Sequence, residues 1–221
     1  MKVRPLHLTL MLLPLSLSAS VPLNRAERGN PNDDDHFRLT SSTFQNKGTL
    51  PLSTIFNSPS SSNPTLNACT VDGRAGGDES PQLSWTGAPQ GTRSFVVILY
   101  DRTASFTHWG MYDISPKTTS LPANAGVASS TFGTQVANDF GDLSYDGPCP
   151  PTTLTPLVHE YIFTVYALDE RLPALPTFGN FTPGSEALYH ALIEAGKHGH
   201  ILDQASLTGF YSAAAPPGPA E

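Results

Sequence analysis

The sequence predicts a mostly β fold built as one domain with few helices, and three observations carry that prediction. Its 221 residues include 21 prolines and 18 glycines, residues that punctuate turns and are poor in helix interiors. Between them lie short apolar runs rich in β-branched and aromatic side chains, the usual mark of strands. Only one stretch combines helical spacing with helical start and stop signals. A hydrophobic share of 38% over this length suits a single core rather than two.

The elements follow in chain order. Phe37 to Leu39 and Gln82 to Trp85 are short strand candidates. Ser94 to Tyr100 (SFVVILY) is an almost unbroken β-branched and aromatic run; a strand with no polar alternation must be covered on both faces, so it belongs at the centre of a sheet. Trp109 to Ile114 (WGMYDI) and Tyr161 to Leu168 (YIFTVYAL) are further strands. The helix is expected to take Thr182 as N-cap and Pro183 as its first residue. It continues through Ala187, Leu188, Ala191, Leu192 and Ala195, with Gly196 beyond.

The ends have little to bury. Residues 1–20 have the form of an export signal: Lys2 and Arg4, an apolar run from Leu6 to Leu17, then Ser18, Ala19 and Ser20. The apolar run is short for a bilayer, is broken by Pro14 and leads into a polar stretch, so a cleaved signal is the better reading than a retained anchor. The expected location is secreted or periplasmic. No cysteine stands at the cleavage site to take a lipid; the first is Cys69. Residues 21–35, with the run Asp33, Asp34 and Asp35, read as a solvated leader, and 213–221 as an alanine- and proline-rich tail. The domain is expected over 36–212.

Charge narrows the partners. The formal net charge is -7, and loss of Lys2 and Arg4 would leave 10 basic against 19 acidic residues, a net of -9. Nucleic acids and anionic membranes need clustered Lys and Arg, so neither is an expected partner, and phosphate recognition has to come from a local site. Cys69 and Cys149 are compatible with one disulfide in an exported chain, and equally with two buried free thiols. Asn180-Phe181-Thr182 is a formal glycosylation site, meaningful only in a eukaryotic secretory pathway.

Six separated segments carry a resemblance. They are Ser80 to Gly91 (SPQLSWTGAPQG); Asp101 at a strand end; His108-Trp109; Asn138-Asp139-Phe140-Gly141; Tyr145-Asp146-Gly147-Pro148-Cys149-Pro150-Pro151; and His159-Glu160-Tyr161. In this order they resemble the phosphatidylethanolamine-binding protein family, in its bacterial-type Raf-kinase-inhibitor-like branch, from about His36 to Tyr211. The resemblance implies a β-sandwich of a large antiparallel sheet and a smaller sheet with a C-terminal helix. It implies a shallow cavity that binds phosphate-like anions and phospholipid head groups, lined by Asp101, His108, Gly147, Pro148, His159 and Tyr161, with Tyr211 a further candidate. It implies no cofactor and no metal.

Chemistry agrees with that lining. A carboxylate placed where a buried strand ends needs partners. Imidazoles beside it are favoured as doubly donating cations, which bind phosphate through charge-assisted hydrogen bonds. The Gly147 to Pro151 run is stiff enough for a pocket wall and permits a cis peptide bond. One departure stands out: the family's Asp-Pro-Asp-Ala-Pro is replaced by Asp101-Arg102-Thr103-Ala104-Ser105. The second acidic residue is lost, and Arg102 is expected to add positive charge.

The expected function is therefore a binding protein for a small anionic ligand, acting in the regulation of a protein target. The family includes inhibitors of kinases and of a serine carboxypeptidase, so a secreted inhibitor working by surface contact is the alternative. A hydrolase using the same pocket is a further one. The sequence has no Gly-x-Ser-x-Gly elbow, His-Glu-x-x-His or P-loop, and the reading is not an enzyme. His198 and His200 are read as residues favoured at a helix C-terminus rather than metal ligands.

Overall fold

Strand β-branching and burial decide the architecture from the middle outward. In the computed structural model, which describes residues 36–177 and 182–214, the run Ser94–Asp101 forms a strand whose residues alternate between two cores. Phe95, Val97 and Leu99 pack toward Leu39, Leu83 and Trp85 on one side, while Val96 and Ile98 pack toward Leu188, Leu192 and Ala195 on the other. This is why the run carries no polar alternation. The expected export signal, the leader, Asn180 and Phe181 of the glycosylation site, and residues 215–221 of the tail lie outside the described residues.

Among the described residues the elements are β1 (Arg38–Thr40), β2 (Gly48–Thr49), β3 (Leu83–Thr86), β4 (Ser94–Asp101), β5 (Phe106–Ile114), β6 (Ser120–Leu121), β7 (Thr134–Gln135), β8 (His159–Leu168), α1 (Ser185–Lys197) and β9 (Ile201–Tyr211). A six-stranded sheet has the order β2-β9-β8-β4-β5-β7, and a three-stranded one the order β1-β3-β6. All pairings are antiparallel except β2 with β9. The two sheets enclose the larger core, and α1 covers the outer face of the large sheet. Gly110 of β5 permits that covering. A Cβ there would stand 2.6 Å from the Val136 side chain and 3.0 Å from that of Leu188, so a larger residue would push the helix off the sheet.

The five expected strands are all present, within a few residues of their expected ends. The eleven-residue β9 is not among them. It buries only Ala205, Leu207 and Gly209 and exposes Asp203, Gln204 and Ser206, so its apolar signal is diluted. The helix also begins later than expected. Ala137 pairs with Gly184 in a parallel bridge and donates its N–H to the Pro183 carbonyl, which holds that segment extended. Gly184, not Thr182, is the N-cap, and Pro183 lies before the helix. Ala213, assigned to the tail, is buried against the domain.

The two cysteines form a disulfide between Cys69 and Cys149, with 4.5 Å between Cα atoms and 80 residues between them in sequence. A cross-link that closes so long a loop removes much freedom from the unfolded chain. Replacing both by alanine should lower stability by about 2–4 kcal/mol, read as a fall in thermal midpoint under oxidising conditions; an unchanged midpoint would show that the bond constrains nothing. Leu99→Ala, at a side chain with 0% exposure, should cost about 2–5 kcal/mol in urea unfolding. Ile193→Ala, on the outer face of α1 at 54% exposure, should stay within about 0.5 kcal/mol.

Candidate functional site

Three neighbouring strands end together. Asp101 closes β4, His159 and Tyr161 open β8, and Phe106 and His108 open β5, with Asp101 opposite both Tyr161 and Phe106 in the register. Asp101 continues the Phe95, Val97, Leu99 series, and His159 and Tyr161 continue into Phe163 and Val165, so these side chains all face the inter-sheet side. His108 gets there differently. Leu99 pairs with Trp109, and Tyr100 with Thr107, so His108 is an extra residue in a β-bulge. The bulge turns His108 to the same side as the core residue Trp109. Thr107 faces the opposite side and hydrogen-bonds Tyr189 of α1.

The result is a cavity of about 190 Å³ lined by Asp101, His108, His159 and Tyr161, with Phe106 and Phe140 among its other walls. Asp101 is 2% exposed and fully engaged. Its Oδ1 accepts the backbone N–H groups of Thr103 (2.8 Å) and Ala104 (3.0 Å), and its Oδ2 accepts from His159 Nδ1 at 2.7 Å. The Tyr161 hydroxyl is buried beside this carboxylate; no partner among the described residues meets strict hydrogen-bond geometry, although Asp101 is close enough to act on it through both charge and hydrogen bonding. Burial first, then the Asp101 charge, pushes its ionisation far above the usual tyrosine range, so it is a neutral donor.

His108 is held from behind. Its Nδ1 lies 2.8 Å from the Asp146 carbonyl, which can only accept, so Nδ1 carries a proton. Burial pushes the His108 pKa down, against the opposing pull of the Asp146 carbonyl, Asp101, Asp139 and the Gly147 carbonyl. The expectation of two charged imidazoles is corrected here, because desolvation outweighs the neighbouring carboxylates at His108. The loop that supplies the Asp146 carbonyl is organised by buried Asn138. Its Oδ1 accepts from the N–H groups of Phe140, Gly141 and Asp142, and its Nδ2 donates to Asp146 Oδ2 at 2.7 Å. Burial, with Asp142 and Asp78 nearby, raises the Asp146 carboxyl to about 6 despite the Asn138 hydrogen bond.

Asp101, His108, His159 and Tyr161 are thus brought together, and three other expected residues are not in the lining. Gly147 stands behind the wall: its N–H donates to Asp78 Oδ1, and a Cβ there would lie 2.1 Å from the Thr54 carbonyl oxygen. The Pro148 carbonyl accepts from Phe56 N–H, which leaves Cys149, Pro150 and Pro151 to face the cavity. Tyr211 pairs with His159 along the backbone, but its hydroxyl donates to the Cys69 carbonyl and its ring lines a second cavity. That cavity, about 1000 Å³, is larger but holds none of Asp101, His108, His159 or Tyr161. Among the described residues the cis peptide bond is Thr155–Pro156, outside the Gly147 to Pro151 run.

Arg102 adds no charge to the cavity, because it pairs with Glu160 at 2.7 Å on the surface. Thr103 accepts the Glu160 N–H through its hydroxyl. His200 likewise has a partner, Asp169, at 2.9 Å. Sequence reasoning missed the aromatic rim. Phe140 is 50% exposed and packs on Phe106 (ring centroids 4.6 Å apart) and on Phe56 (5.5 Å, stacked). An exposed phenylalanine inside an Asn-x-x-Gly turn was the available signal.

Comparison with known proteins agrees with this fold. The UPF0098 protein of Aquifex aeolicus is 38% identical over 146 residues, covering 64% of this chain and 77% of that protein. The UPF0098 protein YbhB of Escherichia coli is 36% identical over 148 residues, covering 63% and 85%. The crystal structure of E. coli YbcL, described as a new member of the mammalian PEBP family, matches with a TM-score of 0.61 at 28% identity, over 80% of this chain and 98% of that one. The Chlamydia trachomatis homologue CT736 matches with a TM-score of 0.57 at 27% identity, over the same shares. The family model described as phosphatidylethanolamine-binding protein matches residues 40–212. With most of its length matched and the same two-sheet fold, this chain belongs to the phosphatidylethanolamine-binding protein family.

Proposed function

We propose that this chain is an exported binding protein whose small cavity takes a phosphate-bearing anion. The observation that carries the reading is the set of unspent polar groups around one cavity. Both imidazoles have Nδ1 tied to an acceptor, which leaves each Nε2 without a partner among the described residues, and the Tyr161 hydroxyl is buried with none in strict hydrogen-bond geometry. A cavity of about 190 Å³ is below the usual range for drug-sized ligands and suits a phosphate-sized group. His159 donates through Nε2 whenever its ring is charged, with Asp101 on Nδ1 as the counterion, and Tyr161 donates in any case.

Binding is favoured over hydrolysis by what surrounds these groups. The lining has no serine, threonine or lysine, its cysteine is held in the disulfide, the Asp101 carboxylate is tied to three donors and burial keeps the Tyr161 hydroxyl protonated, so no activated nucleophile stands beside the histidines. Export is supported by the form of residues 1–20 and by a disulfide that an oxidising compartment would preserve.

The test is calorimetric titration of the chain from Val21 with phosphate and phosphoethanolamine near pH 6.5. Tyr161→Phe removes only this hydroxyl, so stability should be unchanged or higher while affinity falls by about tenfold. The Asp101→Ala, His159→Ala double variant should lose binding. Intact affinity in either variant would place the ligand elsewhere.

A further inference from the structure

We propose that the outer face of the large sheet carries a second binding site, a tyrosine-walled groove beside α1 that takes a quaternary ammonium group such as that of choline. The site is separate from the anion cavity and does not depend on it.

The groove lies where the helix leaves part of its sheet face uncovered. β4 directs Val96, Ile98 and Tyr100 outward and β8 directs Ile162, Thr164 and Tyr166 outward, in the register Tyr100 with Ile162, Ile98 with Thr164 and Val96 with Tyr166. Val96 and Ile98 are buried, while Tyr100, Ile162 and Tyr166 are only half-buried, as is Tyr189 of the helix. With Thr164 these side chains line a groove of about 370 Å³ whose residues are Ile98, Tyr100, Ile162, Thr164, Tyr166 and Tyr189. The two isoleucines and Thr164 form its floor. Tyr100 and Tyr189 make a corner, with ring centroids 6.2 Å apart and planes at 77°. Tyr166 bounds the other end, four residues along β8 from the Ile162 that pairs with Tyr100, a rise of roughly 13 Å.

The chemistry of these walls selects the occupant. Among the described residues the lining has no charged side chain, and the one hydroxyl of its floor, that of Thr164, is engaged with Ser206 at 2.9 Å. An anion would meet no cation there. A primary ammonium would give up water without finding an acceptor on the floor. A quaternary ammonium brings positive charge on an apolar methyl surface with no N–H to satisfy, and the negative faces of aromatic rings attract it. The surrounding charges have the complementary sign. Asp139 accepts the Thr107 N–H at 2.7 Å, the Thr107 hydroxyl donates to the Tyr189 hydroxyl, and the Asp139 charge reaches that ring. Arg102, two residues beyond Tyr100, is neutralised by Glu160 at 2.7 Å. The chain as a whole carries a formal charge of -7.

Three probes titrated into the unmodified protein at neutral pH, followed by calorimetry and by the tyrosine ring signals in NMR, test the assignment. They are choline, ethanolamine and the neutral isostere of choline in which a tert-butyl group replaces the trimethylammonium. The isostere keeps the shape without the charge, and ethanolamine keeps the charge without the methyl groups. Choline should bind about tenfold more tightly than either. Tyr189→Phe keeps the ring and should hold choline affinity within about threefold, whereas Tyr189→Leu should weaken it about tenfold. Tyr166→Leu, on the sheet rather than the helix, should weaken it similarly, so a displaced helix cannot imitate the result. Saturating phosphate should leave choline affinity unchanged. Equal affinity for choline and its neutral isostere would overturn cation recognition. Choline affinity retained in both leucine variants, or competition by phosphate, would place the cation elsewhere, and no choline binding would remove the site while leaving the anion cavity untouched.

Discussion

The position of β4 between two cores is the constraint on which the rest of the molecule depends. A strand covered on both faces has to be apolar at every position, and Phe95 through Leu99 meet that demand by alternating between the inter-sheet core and the core beneath α1. Where the strand ends, its inward series continues into Asp101. A carboxylate there cannot be hydrated and must find donors within the protein. It finds three, two from the backbone turn at Thr103 and Ala104 and one from His159 on the next strand. The charge thereby fixes the turn after β4 and the ring that opens β8 in one arrangement.

The second imidazole is placed by an irregularity rather than by the regular pleat. In an uninterrupted β5, His108 and Trp109 would face opposite sides of the sheet; the bulge puts both toward the interior. The loop around Asn138 then completes the arrangement from the other direction, since it delivers the Asp146 carbonyl to His108 and sets Phe140 over the opening. The disulfide fastens the last piece, joining Cys149 of the stiff wall to Cys69. Two histidines of similar appearance in the sequence end with different characters. One faces a carboxylate and the other a carbonyl, and burial lowers the proton affinity of the second.

Residue type and order alone determined a good deal. The SFVVILY run, with no polar alternation, required a central strand covered on both sides. The motif order from Ser80 to Tyr161 carried the family resemblance, which implied the two-sheet fold and placed Asp101, His108, Gly147, Pro148, His159 and Tyr161, with Tyr211 as a further candidate, around one cavity. These features are legible because burial and turn chemistry act on a few adjacent residues. β9 was not legible, because most of its residues are exposed or only half-buried and its place comes from pairing with β8 along ten residues. The helix start was also not legible, because Ala137, far away in sequence, holds Gly184 in a bridge.

Only the tertiary structure decided how the site residues divide. Gly147 and Pro148 turn out to shape the wall, Tyr211 belongs to a different cavity, and Arg102 is taken by Glu160. Each outcome depends on a partner distant in sequence or on which way a bulge turns a side chain. The same holds for the protonation of His108, which follows from how much water the fold excludes and which carbonyl it brings up. Sequence specifies which groups are available; desolvation and long-range pairing, which exist only once the chain is packed, specify what those groups can do.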